Sequence, residues 1–482
     1  MDGGNMQGGI FMSRGLQTRR LALSVAVALS AGGGALFPVM PHAFAADVSR
    51  QNVTVDNPAD PQLTASGISA GEINGWTDAG NVTNNTLTLS GVTYSGFGNV
   101  YGGFTAGTGN AAGNKLFLKN GASIGAGGWA IGGRTNNGGD ATGNEIHIDD
   151  SGTGAGLYAV GGMTNGQTGN AAANKAFMTD GAASYLYGGF VFGANSTGNA
   201  TGNELTLSGG TVNRDVAGGV IQGPSANSQG KGDVSGSTVT ITGGTVSGTT
   251  YGGTTQGIGS VKTNKVTVSG TATVLHDVLG GRSMTGDAST NTLNFQGATA
   301  DNLIGGRVAG TNAAGNAATN TVIVTSGTVN QDVRGGEIIA PTATGNVSGN
   351  IVNINGGIIG GTVTAGYNMG TGKADGNELH ITNGSITGVV TGGHGTQTGE
   401  VSGNTVDITG GTLSDSIRGG FAYDGKASAN EVTITGGTLS GSTIMGGFSA
   451  NGAASGNTAT VGTVAFTGNI MGGSAATGAD TN

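Results

Sequence analysis

Cysteine is absent from the 482 residues, so disulfide staples and thiolate metal sites are excluded. Charge is scarce as well: charged residues make up 9% of the chain, against about 25% in an ordinary globular domain. Aromatics are 5% and prolines number 6. Nothing in the body of the chain is a run of Lys and Arg. With a formal net charge of −9, this argues against a nucleic-acid partner. No sustained 3.6-residue apolar period is present, which excludes a helical fold. What the chain has is glycine, 103 of them, together with many Val, Ile and Thr. Glycine supplies positive φ at little steric cost. The composition therefore suits many short strands joined by many tight turns.

Residues 1–45 have the anatomy of a secretory signal peptide. Arg14, Arg19 and Arg20 form a basic start, Leu21 to Leu36 is a run of apolar and small residues, and Ala43-Phe44-Ala45 is a small-x-small cleavage site. Removing this segment takes away three arginines and one aspartate. It leaves 15 basic against 26 acidic residues, a net of −11. Residues 46–80 carry Pro58, Pro61 and Trp76 and are expected to form an N-terminal cap or lead-in.

From residue 81 to 482 one pattern repeats: Asn, any residue, apolar, any residue, apolar. Its Asn stands at Asn85, Asn114, Asn144, Asn174, Asn203, Asn264, Asn291, Asn320, Asn350, Asn377, Asn404, Asn430 and Asn457, with Ser237 in the remaining copy. These 14 copies lie 26–34 residues apart, and all 28 apolar slots, from Leu87 and Leu89 to Ala459 and Val461, are filled by apolar residues. A second landmark follows 14–18 residues after each Asn. It is a glycine pair behind a bulkier residue, as in Tyr101-Gly102-Gly103 or Arg418-Gly419-Gly420. The copy at Ala365-Gly366-Tyr367 reads as one that has lost its second glycine. Between the landmarks lie a turn and a short strand, as in Thr409-Gly410-Gly411-Thr412-Leu413.

Apolar residues two apart line one face of a strand, and the glycine pairs are expected to turn the chain. A unit of about three short strands cannot bury its own apolar face, so units must stack. The fold class expected is all-β, a parallel β-solenoid of about 14 coils. At about 4.8 Å per coil it is a rod of roughly 67 Å. Asn tolerates left-handed backbone, and its amide both donates and accepts. A stacked Asn column is therefore read as structural. The residue after each Asn should face solvent. It reads Lys115, Glu145, Lys175, Glu204 in four successive coils, so an ionic ladder is expected there.

A leader, an acidic cysteine-free body and Gly/Asn/Thr-rich repeats resemble the passenger domains of Gram-negative autotransporters. The resemblance covers residues 46–482. It implies a right-handed β-helix at the cell surface or outside the cell, with an adhesive or self-associating role towards glycans or proteins of a host or neighbouring cell. It also implies an outer-membrane β-barrel translocator. Barrel strands are about ten residues of strict alternation with aromatic girdles. None occurs up to Asn482, so the translocator is expected outside this chain.

Motifs that carry chemistry are few. Gly67-Ile68-Ser69-Ala70-Gly71 fits a nucleophile elbow by letters only, without the strand before it or the helix after it. Gly370-Thr371-Gly372-Lys373 lacks the remaining residues of a phosphate loop. His147, His276, His380 and His394 have no metal-ligand spacing, and His147 and His380 fall in outward slots that read as solvated surface. Asp149-Asp150 is an isolated acidic pair, and no second acidic cluster is visible one coil away. Lys231-Gly232-Asp233 resembles an integrin-type tripeptide. The calcium nonapeptide is absent. Outward Thr at 88, 206, 240, 267, 433 and 460 is interrupted too often for a lattice-matching array. Tyr101, Tyr187 and Tyr251 read as packing, with carbohydrate stacking as the alternative. The expectation is a non-catalytic surface protein with no cofactor and no metal. The alternative is a β-helical polysaccharide-degrading enzyme, which would need charged side chains clustered on neighbouring coils.

Overall fold

Many coils have four strands, and in others neighbouring strands run together, as in Thr273–Ser283 and Ile351–Ile359. The coil that begins at Val82 has a two-residue lead strand (Val82–Thr83), a core strand (Thr86–Ser90), a short strand (Thr93–Tyr94) and a bent strand (Val100–Thr105). The lead strand is one more than the sequence pattern showed. The structure is a computed structural model describing residues 47–57, 68–73, 79–95, 99–125, 127–149, 157–225, 229–441 and 443–481. The signal-peptide reading of residues 1–45 lies outside them. The described residues contain strands and turns and no helix.

Every strand pairs in parallel with its equivalent one coil away. Leu116 faces Leu87 and Ile146, and Ala141 faces Ala111 and Ala171. The lead strands build a sheet of 16 strands. The parallel β-solenoid expected from the sequence is therefore the fold. Residues 47–57 and 68–73 join it in register: Val53 pairs with Leu87, Val55 with Leu89, and Ile68 with Val100. The lead-in thus takes the form of a further coil, with Gln51 in the Asn slot.

The apolar slots make the interior. Leu87 through Ile434 are 0–2% exposed, and only Ala459 and Val461, in the last coil, are half-buried. Burying each such side chain contributes about 1.5–3 kcal/mol. A second set of small apolar clusters lies beneath the loops, built from residues such as Ala317, Ile338 and Val347. The chain crosses from one compartment to the other twice per coil. It does so once at the Asn, between Ala111 and Leu116, and once at the glycine pair, between Val100 and Thr105.

Those two crossings fit together. The Asn114 side-chain Nδ2 donates to Asn144 Oδ1 at 3.0 Å and to the Val82 carbonyl at 2.8 Å. The Asn114 backbone N–H donates to the same Asn144 Oδ1 at 3.0 Å. Each amide therefore has both donors and both lone pairs used, as a buried amide must. The side-chain chain runs from Asn85 to Asn203 and resumes from Asn264 to Asn457. Ser237 interrupts it, and its buried Oγ has no partner.

The glycine pairs differ from their sequence reading. They lie inside the bent strand and not in a turn, and neither glycine has positive φ. The register skips the first of the pair, so both glycines face inward and the strand folds towards its outer side. A Cβ on Gly103 would lie 2.4 Å from Asn114 Oδ1, and one on Gly102 would lie 2.4 Å from two carbonyl oxygens. The pair is there because the Asn ladder and the next coil leave no room for a methyl group. Gly366 occupies the position against Asn377, so the copy at 365–367 has lost its first glycine and not its second. The left-handed residue is also not the Asn. It is the residue before it, from Asn84 (φ 55°) and Gly113 (φ 64°) to Ala429 (φ 52°) and Gly456 (φ 61°).

Candidate functional site

Where the bent strand folds outward, residues three apart come together on one face. In a flat strand they would point to opposite sides. Tyr101 and Phe104 flank Gly102 and Gly103, yet their rings stack with centroids 4.8 Å apart. Repeated coil after coil, this makes a concave strip along the rod. One column precedes the glycine pair and holds Tyr101, Ile131, Tyr187, Tyr251, Arg334 and Arg418. The other follows it and holds Phe104, Arg134, Phe190, Arg282, Arg307 and His394. Although they point away from the main core, Ile131 is fully buried, and Tyr101 and Tyr187 nearly so.

The first part of the strip is aromatic. Trp129, Tyr158 and Tyr185 stack face to face at 4.4 and 4.5 Å, and Arg214 sits 5.7 Å over Tyr185. Tyr101 stacks on Phe104, and Arg134, beside the pair, donates from Nη1 to Tyr101 Oη at 2.9 Å. Tyr101 and Tyr187 are thus packed against neighbouring rings, and Tyr251 packs at the edge of the same cluster. Burial, with the nearby Asp215 charge adding to it, raises the Tyr187 and Tyr251 hydroxyl pKa values above the usual 10, so both stay neutral.

The second part is charged. Glu337, fully buried, accepts from Arg307 through one oxygen and from Arg334 through the other. Arg307 also reaches Asp277 at 2.8 Å, and Arg334 reaches Asp332 at 2.8 Å. Asp277 Oδ1 accepts from Asn302, and Asp332 Oδ1 accepts from the Thr362 backbone and hydroxyl. Every carboxylate oxygen in the network has a donor. Burial works against the charge on Arg307 and Arg334, but the carboxylates outweigh it and hold both more firmly protonated than usual. Further along, His394 sits between Tyr367 and Phe421, with ring centroids at 4.9 and 4.7 Å. Burial, then Arg418 and Arg334, pull its pKa from 6.5 down to about 4. Arg418 stands over Phe421 at 5.1 Å. Burial lowers its pKa, opposed only by Asp415.

This charged group was not singled out in the sequence. Asp277, Asp332 and Glu337 lie up to 60 residues apart in sequence and are joined across three successive coils through Arg307 and Arg334. The arginines were missed for the same reason. Seven arginines and eight lysines are described, and six of the arginines belong to this strip while none of the lysines does. The signal was there in the residues beside the glycine pair, where arginine recurs.

The other candidates are placed as follows. The 13 column asparagines are all at most 3% exposed, within the ladder already described. Lys115 pairs with Glu145 and Lys175 with Glu204, both at 3.0 Å and stacked outward. The ladder is two discrete ion pairs, with Glu145 adding only a longer-range attraction to Lys175. His147 is not simply solvated: it stacks between Phe117 and Phe177 at 4.5 and 4.6 Å. Ser69 lies in a strand beside Tyr101. Asp233 is committed to the Ser260 N–H and to Lys262, and Lys373 to Glu400. Asp149 accepts from Thr179, and Asp150 lies outside the described residues. His380 is held between Asp407 at 3.2 Å and Glu378 at 3.4 Å, beside a shallow Thr-lined cavity of about 340 Å³. Among the described residues no group of three His, Asp or Glu is arranged to hold a metal.

One column escaped the sequence reading altogether. Four residues before the ladder position of the earlier coils, up to Asn346, stands another short polar side chain, including Asp47, Asn81, Asn110, Asp140, Asn170 and Asn199. Each accepts the backbone N–H of the next at 2.7–2.9 Å. Comparison with protein-family models, with curated proteins and with solved structures finds no match to this chain.

Proposed function

We propose that this chain is an exported surface rod of adhesive type, built like the right-handed passenger part of a Gram-negative autotransporter and acting by contact along its length without catalysis. The observation that supports this best is the closed charge network on the concave strip. A hydrolase or lyase of this build needs a carboxylic acid or base free to exchange a proton with substrate. Here Glu337, Asp277 and Asp332 are each occupied on both oxygens by arginine, amide or hydroxyl donors. The leader-like residues 1–45 support export.

The test is cell-based. The full chain, expressed in a Gram-negative host together with a translocator barrel, should be cleaved by protease added to intact cells and should increase their attachment to glycan- or protein-coated surfaces. Retention in the cytoplasm, or attachment no greater than that of cells lacking it, would overturn the proposal. The charged cluster on neighbouring coils is also what the polysaccharide-degrading alternative would need. That reading is tested by incubating purified protein with a panel of neutral and acidic polysaccharides and measuring new reducing ends. Release above background would replace adhesion with catalysis.

A further inference from the structure

The six strip arginines are not all accounted for by the protein itself. Arg307 and Arg334 are neutralised by three carboxylates. Arg134 and Arg214 lean on tyrosine hydroxyls. Among the described residues Arg282 has no carboxylate at ion-pair distance and contacts only the Met284 sulfur. Arg418 likewise has no such carboxylate, and its buried Nε has no hydrogen-bond partner. Beside Arg282, the Thr254 hydroxyl is buried and unpartnered. A half-desolvated guanidinium without a counter-charge is costly, and the cost is removed when an anion arrives. In a chain whose net charge is −9, two guanidiniums without a carboxylate partner on one concave face are a specific feature.

We propose that the strip is a binding cleft for an extended acidic polysaccharide, with Arg282 and Arg418 taking its carboxylates. This rests on the adhesive reading and names the ligand class for the contact face. Three observations select this ligand. Guanidinium is the fork that fits a planar carboxylate, and the strip already holds Glu337 between two of them. Arg282 and Arg418, on the two columns of the strip, stand five register steps apart, about 24 Å at about 4.8 Å per coil. A polymer with repeating charge can meet both at once, whereas a small anion meets one. The third observation is that Tyr158 lies between Trp129 and Tyr185, and Tyr185 between Tyr158 and Arg214. Single-stranded nucleic acid relies on free faces for base stacking, and these two tyrosines offer none.

The experiment uses the purified full chain without its leader and measures affinity for polygalacturonate, for a neutral glucan of similar length, and for oligo-dT. Polygalacturonate should bind, more weakly as salt rises, and the other two should not. The variant Arg282→Gln/Arg418→Gln should weaken that affinity about tenfold or more with an unfolding midpoint no lower than the parent's. A control variant on the core-strand face, Lys115→Gln/Lys265→Gln, should leave it unaltered. Absence of polygalacturonate binding, equal binding of oligo-dT, or an Arg282/Arg418 variant as tight as the parent would each overturn the proposal. Because the assay needs neither export nor cells, its failure leaves surface display untouched, and failure of surface display leaves the cleft untouched.

Discussion

At the scale of the residue, the fold depends on a match between one amide and two missing side chains. Asn320 accepts from the Asn291 N–H and Nδ2, and it donates to the Ala288 carbonyl and to Asn350. Replacing it by Ala leaves buried donors and acceptors unpaired on both neighbouring coils. Each unpaired group costs about 1–3 kcal/mol. Asn320→Ala should therefore lower stability by about 2–3 kcal/mol in denaturant unfolding and open amide exchange in the coils either side. Ser237→Asn should do the reverse, since it would join the two halves of the ladder. An unfolding midpoint that does not rise would show that the coil around Ser237 cannot accept the amide. The glycines separate cleanly. A Cβ on Gly447 would lie 2.3 Å from Asn457 Oδ1, whereas one on Gly456 meets nothing within 4 Å and pays only for its φ of 61°. Gly447→Ala should cost about 2–3 kcal/mol and Gly456→Ala about 1 kcal/mol. Equal losses, read from unfolding midpoints, would mean that the strand bend is not set by packing against the Asn.

At the scale of the element, the bent strand decides what the outer face can be. It brings His394 into a dry site beside Arg418, Arg334, Tyr367 and Phe421. With the folded pKa near 4 and the unfolded value at 6.5, the unfolded chain takes up the proton first as pH falls. The stability contributed by neutral His394 is therefore full above about pH 6.5. It declines towards pH 4 by up to about 3 kcal/mol. Unfolding midpoints at pH 7.5 and 4.5 should differ less in His394→Gln than in the parent. An identical difference would place the pH dependence elsewhere. The core strand was fully legible in the sequence, because its two apolar slots stand at fixed distance from the Asn. The lead strand was not. It is two residues long, and its inward residue is often only Ala, as in Ala111 and Ala141, which carries little apolar signal. The bend escaped for a different reason. A glycine pair reads as a turn when only conformation is considered, and its cause here is contact with a side chain about 11 residues later. The arginine strip escaped because loops of unequal length separate its members, so a search for runs of charge along the chain has nothing to find.

At the scale of the whole molecule, each coil touches only its neighbours, so coils behave as interchangeable units. Deleting Glu378–Asn404 joins Asn377 to Thr405 and keeps every column in step. Such a protein should fold and be about 4.8 Å shorter by small-angle scattering. A deletion of half that segment puts polar residues into the core slots and should yield aggregate or unfolded chain. If both deletions fold equally well, register is not what holds the rod together. Losing the 378–404 coil should also leave Arg282 and Arg418 one step closer together, which changes which charges on a long polymer they can meet.

The Asn column also gives the rod a direction. In every link the nitrogen of one amide points to the oxygen of the amide in the following coil, never the reverse. The small amide dipoles therefore add, as peptide dipoles do along a helix. A cut between any two linked coils exposes an amide N–H pointing onward on one side and an amide oxygen pointing back on the other. Two coils can close that gap in one orientation only. A coil approaching upside down meets donor with donor, so the ladder rejects inverted stacking at each step of assembly, even though successive coils are nearly alike in sequence.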